Sequence, residues 1–75
     1  MEPGERIKEF RKKKGLTQRD LANSIKYSDA YLSEIERGVS KPSREFLIKL
    51  TKVYGISSDY VLYGSEDEQK KILDR

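Results

Sequence analysis

The stretch Leu16-Thr17-Gln18-Arg19-Asp20-Leu21-Ala22-Asn23-Ser24-Ile25-Lys26-Tyr27-Ser28-Asp29-Ala30-Tyr31-Leu32-Ser33-Glu34-Ile35-Glu36-Arg37-Gly38 carries two short helical patterns separated by Lys26 and Tyr27. Thr17 with Asp20 three residues on reads as a capping box, a hydroxyl at the cap and a carboxylate reaching back. Ser28 before Asp29 reads as a second helix start, because a cap hydroxyl and a first-turn acid both suit exposed backbone N–H groups. Leu21, Ala22 and Ile25 share one face of the first segment, and Leu32 and Ile35 share one of the second. Two residues are too few to fold two long helices into an antiparallel hairpin. They suit two short helices meeting at a sharp angle.

The same punctuation extends outward. Gly15, Gly38, Gly55 and Gly64 each follow a helical pattern, where glycine ends a helix in the left-handed conformation. Pro42-Ser43 and Ser57-Ser58-Asp59 open two further segments, and Ser65-Glu66-Asp67-Glu68 resembles another capping box. The spacing predicts helices over about 4–14, 17–25, 28–37, 43–54 and 57–63, with a short sixth over about 66–74. The expected core is Ile7, Phe10, Leu21, Ala22, Ile25, Leu32, Ile35, Phe46, Leu47, Leu50, Val53, Tyr54, Ile56, Tyr60, Val61 and Leu62, with Leu16 filling the turn after the first helix. This is an all-α, compact five-helix bundle over residues 1–64, followed by a tail over 65–75.

Composition narrows the chemistry. The 75 residues suffice for one domain and contain no cysteine and no histidine. That removes disulfides, thiolate metal sites and the commonest general base. No apolar run approaches the roughly 20 residues of a membrane span, and the N-terminus lacks the apolar core of a signal peptide, so a cytoplasmic protein is expected. Residues 1–64 hold 13 Lys/Arg against 9 Asp/Glu, a net +4, whereas 65–75 carry a net −1. A basic body suits a polyanion, although 39% charged residues also serve simply to solvate a small helical protein. Paired carboxylates among Asp29, Glu34 and Glu36 offer nothing resembling a nucleophile–base pair or a phosphate loop, so no enzyme is expected.

A tight two-helix unit of this kind is a helix-turn-helix, in which the second helix enters the major groove by its N-terminal residues. Four blocks make the likeness specific. Leu16-Thr17-Gln18-Arg19-Asp20-Leu21-Ala22, Ala30-Tyr31-Leu32-Ser33-Glu34-Ile35-Glu36-Arg37-Gly38, Lys41-Pro42-Ser43 and Ser58-Asp59-Tyr60-Val61-Leu62-Tyr63-Gly64 resemble, in order, the signatures of the phage-repressor and Cro-like family, also called the XRE family. The resemblance spans residues 4–64. It implies a lambda-repressor-like fold and a transcriptional regulator, a repressor, that binds double-stranded operator DNA as a homodimer. It implies no cofactor, metal or small-molecule ligand.

The resemblance also implies roles for individual residues. Gln18 corresponds to a phosphate-binding position at the start of the second helix. Ser28, Asp29, Ala30, Tyr31, Ser33 and Glu34 correspond to the base-reading face. An aspartate can accept from cytosine N4, and an alanine or tyrosine ring can touch a thymine methyl. Each has a plainer reading: Asp29 as a helix-dipole stabiliser, Glu34 as a solvated carboxylate, Tyr31 as a ring at the core's edge. Arg37, Lys41 and Arg44 are expected at phosphates. Lys12-Lys13-Lys14 is better placed as cations at a helix C-terminus. Arg11 and Glu36 are expected to form a partly buried structural ion pair between the first and third helices. Lys26 stands where many family members have glycine, which predicts strain or an altered turn. Dimer contacts are expected around Tyr60, Val61 and Tyr63, or in the tail at Ile72 and Leu73. The competing reading is an antitoxin-like or adaptor module that docks a protein through the same helices.

Overall fold

The computed structural model describes residues 2–64, and the sixth helix and the capping box at Ser65 lie outside them. Among the described residues there are five helices: α1 (Pro3–Lys13), α2 (Gln18–Ser24), α3 (Asp29–Glu36), α4 (Arg44–Tyr54) and α5 (Ser58–Tyr63). The bundle is all-α, as the periodicity predicts. Each start is set by local chemistry. The hydroxyls of Thr17, Ser28, Ser43 and Ser57 accept from the backbone N–H of the residue three further on, closing the N-termini of α2 to α5. At α2 the box is reciprocal, because the Asp20 carboxylate also accepts from Thr17 N–H at 3.2 Å. The Thr17 backbone N–H, then its hydroxyl, hold the Asp20 carboxyl below its usual range. α1 begins one residue earlier than expected, with Pro3 at its first position and a box between Glu2 and Glu5.

Leu21, Ala22, Leu32, Ile35, Phe46, Leu50, Ile56 and Val61 are almost wholly buried with Ile7 and Phe10 of α1. α1 packs on α3 and α5, α2 on α3, and α4 on α5. Leu16, Tyr54 and Leu62 are half-buried against this core. Val53 departs from the expected core and is 52% exposed. It sits at the margin of the α4 apolar arc. Tyr54 closes that arc instead, its ring edge-on to Phe10 at 5.6 Å and its hydroxyl bonded to Ser24 Oγ.

The turn between α2 and α3 positions everything that follows. Tyr27 N–H donates to Ala22 O at 2.9 Å and Lys26 N–H to Asn23 O at 3.1 Å. These are the paired bonds of a Schellman motif, which needs a left-handed residue between them. Gly38 fills that position after α3, and Lys26 fills it after α2 with φ +61°. The geometry is therefore the glycine geometry, imposed on a lysine. A left-handed β-carbon costs about 1–2 kcal/mol. Glycine returns some of this by freeing the unfolded chain, roughly 0.4–1 kcal/mol. Lys26→Gly is expected to raise the stability by about 0.5–1 kcal/mol, the difference of these two terms, read as a higher urea midpoint at an unchanged slope. A fall in midpoint would mean that the lysine side chain contributes more than its strained backbone costs.

Candidate nucleic-acid interface

α3 presents two unlike faces. Leu32 and Ile35 point into the core, and Ala30, Ser33 and Arg37 lie on the opposite side at helical spacing. Its first turn stands clear of the bundle: Ser28, Asp29 and Ala30 are all exposed. The Ser28 hydroxyl accepts from Tyr31 N–H at 3.1 Å, which leaves its own hydrogen for another partner. Asp29 faces Arg19 of α2, with 3.7 Å between carboxylate and guanidinium and both side chains largely in water. An exposed pair of this kind holds little energy and is readily exchanged for another partner.

Tyr31 is half-buried. Its ring stacks on Tyr27 with centroids 5.2 Å apart, and both rings meet Phe46 edge-on. Its hydroxyl accepts from Ser43 N–H at 3.4 Å, at the start of α4. Lys49 lies over the Tyr27 ring at 5.0 Å. The three rings brace the start of α3 against α4. Ser33 and Glu34 are half-buried and tied locally. Ser33 Oγ accepts from Arg37 Nε at 3.4 Å, and the Glu34 carboxylate accepts from Ser40 Oγ at 2.9 Å. Glu34 is thus a brace for the loop after α3 as much as a solvated carboxylate. Arg37, Lys41 and Arg44 are exposed around the segment between α3 and α4. Lys12 and Lys13 stand in the last turn of α1 and Lys14 caps it, where the helix dipole favours cations.

Gln18, at the first position of α2, is half-exposed, and its side chain reaches inward to donate to Glu36 Oε1 at 3.0 Å. Glu36 in turn takes Arg11 in a two-pronged pair, Nε to Oε2 at 2.8 Å and Nη2 to Oε1 at 3.0 Å. Arg11 Nη1 donates to Leu16 O at 2.8 Å, just ahead of the α2 cap. One buried node therefore sets α1, the start of α2 and the end of α3 relative to one another.

Sequence reasoning missed two residues beside this surface. Tyr27 reads as a linker because it belongs to neither helical pattern, yet its ring supports Tyr31. Arg19 has no role of its own in the Leu16–Ala22 block, yet it neighbours Asp29. The only sequence signal for either was its position next to Gln18 or Lys26. Tyr60 and Val61 correct the dimer expectation, because at 3% and 0% exposure they belong to the core and offer no outer surface. Burial, with Glu9 nearby, raises the Tyr60 hydroxyl above its usual range. Tyr63 remains outside, at 77% exposure, and Ile72 and Leu73 lie beyond the described residues.

A family model described as helix-turn-helix matches residues 7–61, a span that begins in α1 and ends in α5. The chain belongs to the XRE-type helix-turn-helix family. Among curated relatives, the domain is 38% identical to the HTH-type transcriptional regulator ImmR of Bacillus subtilis (strain 168), covering 95% of this chain and 55% of that protein. It is 44% identical to the HTH-type transcriptional regulator DicA of Escherichia coli (strain K12), over 88% of this chain and 49% of the relative. A third, the HTH-type transcriptional regulator SinR of Bacillus licheniformis, is 39% identical over 87% of this chain and 59% of its own. The chain thus spans about half the length of the curated relatives it matches. No solved structure matches it significantly. Among the described residues, no helix is long and apolar enough to cross a membrane.

Proposed function

We propose that this helix-turn-helix domain binds double-stranded DNA sequence-specifically as a homodimer and acts as a transcriptional repressor, with α3 in the major groove. One observation carries the reading: the first turn of α3, Ser28 to Ala30, projects from the bundle with all three residues exposed and only a solvated ion pair from Asp29 to Arg19 beside it. A helix end held proud in this way fits the groove of B-DNA. Ser28, Asp29 and Ala30 are the base readers of that turn. Ser33 and Glu34 follow along the helix, and Tyr31 takes part through its hydroxyl while its ring remains in the core. Gln18, Arg37, Lys41 and Arg44 hold phosphates on either side and fix the register. Repression follows from occupancy of a promoter. The rival reading, a protein-docking module, would want a large apolar centre on this surface, and the exposed turn offers a hydroxyl, a carboxylate and one methyl instead.

Selection of bound duplexes from a random library tests the proposal. The expected product is a two-fold symmetric site with half-sites about one helical turn, ~34 Å, apart. Three phosphate-binding cations per protomer predict that log affinity falls with log salt at a slope of about −5 for the dimer. Enrichment of no sequence, together with no salt-dependent retention, would overturn the reading. Two substitutions separate its parts. Asp29→Ala should change which bases are enriched, since a carboxylate that repels phosphate contributes discrimination more than affinity. Gln18→Ala should weaken every duplex by the same factor. An equal loss on all sequences from Asp29→Ala would remove it from the base-reading set.

A further inference from the structure

The amide of Gln18 is held by a carboxylate that is itself buried and bonded at both oxygens. Glu36 has a side chain 2% exposed, and both of its oxygens are engaged by Arg11, whose side chain is 10% exposed. A carboxylate accepts and cannot donate, so only the Nε2 end of Gln18 can face it. The terminal torsion of a free glutamine is broad and two-fold. Either end of such an amide can turn outward, and the oxygen end is repelled by a phosphate. With Nε2 committed to Glu36 through one hydrogen, that freedom is gone, and the second Nε2 hydrogen is left for another acceptor.

We propose that Glu36 is a positioning residue for DNA binding: it fixes the Gln18 amide so that its second Nε2 hydrogen is offered to a phosphate oxygen. The inference rests on the phosphate role proposed for Gln18. It gives Glu36 a task beyond joining α1 to α3, because the same oxygen that takes Arg11 Nη2 also takes Gln18 Nε2. Glu36→Gln keeps the shape of the side chain but removes the selection. A neutral amide can present its own N–H₂ to Gln18 and allow the flipped orientation.

A double-mutant cycle on the full chain and a duplex enriched by selection tests this, at a temperature where circular dichroism shows every variant folded. Gln18→Ala should weaken binding about tenfold, the value of one ~1.4 kcal/mol interaction. Glu36→Gln should weaken it by a comparable factor in the native background and by less than about twofold in the Gln18→Ala background. Equal factors in both backgrounds would overturn the inference, because a residue that only fixes the angle of α3 acts without regard to Gln18. If Glu36→Gln fails to fold, side-chain amide NMR of the native chain decides. One Gln18 Nε2 proton should be protected before DNA is added, and the other should shift when the duplex is added. Two freely exchanging protons, unmoved by DNA, would overturn it. A native chain that binds no duplex removes this inference together with the reading beneath it. Binding with independent factors removes this inference alone.

Discussion

Arg11→Met should destabilise the domain by about 3–5 kcal/mol, the usual effect of leaving one member of a buried ion pair without the other. A domain of 75 residues holds in total roughly 4–11 kcal/mol, at ~0.05–0.15 kcal/mol per residue. The substitution therefore removes a large share of the margin, and at the lower end of that range all of it. Methionine is chosen because it fills nearly the volume of the arginine stem, so the loss is electrostatic rather than a cavity. Three acceptors lose a donor: both Glu36 oxygens lose their guanidinium, with Oε1 keeping Gln18 Nε2, and Leu16 O loses Nη1. The exposed Arg19–Asp29 pair makes the contrast, since pairs in water are worth about 0–1 kcal/mol. The double variant Arg11→Met with Glu36→Leu should recover most of the loss, because an apolar pair needs no compensation for a buried charge. Urea unfolding followed by circular dichroism measures both. A single variant that loses less than about 1 kcal/mol would place this pair with the solvated ones.

What could be read from the sequence and what could not divides along distance in the chain. The caps at Thr17, Ser28, Ser43 and Ser57 were legible because each acts within three residues of itself. The left-handed positions at Gly15, Gly38, Gly55 and Gly64 were legible because glycine marks them, whereas Lys26 was flagged through the family likeness, whose members often have glycine there. Val53 was misplaced because its apolar spacing fits α4, whereas its burial depends on whether another element covers that edge. Tyr27 escaped because its value lies in stacking on Tyr31 and Phe46, a meeting of three elements that no local pattern records. At the candidate site, the pairing of Arg11 with Glu36 came from family likeness. The bond that adds Gln18 to them spans 18 residues and had no sequence signal at all. Gly4 belongs with the unread residues: it lies inside α1 and marks no turn.

Gly4→Ala should lower the melting temperature, against the direction that helix propensity gives. In an exposed helix interior, alanine gains up to about 1 kcal/mol over glycine. Gly4 is buried near the start of α1, where an added β-carbon would lie 1.9 Å from Ile35 O, 2.9 Å from Ile35 C and 3.1 Å from Glu36 Cα. The obstacle is backbone, so no rotamer change relieves it. Nor can the carbonyl swing aside cheaply, because it accepts the Gly38 N–H that ends α3. The helices must separate, and overpacking of this kind costs about 1–3 kcal/mol, occasionally more. The upper end is expected here. For a domain of this size each kcal/mol moves the melting temperature by about 4–8 °C, so the drop should be on the order of 10–20 °C. The separation would act on Ile35 and Glu36 directly, so DNA binding should weaken even below the melting range, as α3 loses its angle and Gln18 its anchor. A melting temperature that rose with alanine would mean that α1 and α3 do not approach backbone to backbone. The close crossing that seats α3 on the bundle would then have to be abandoned.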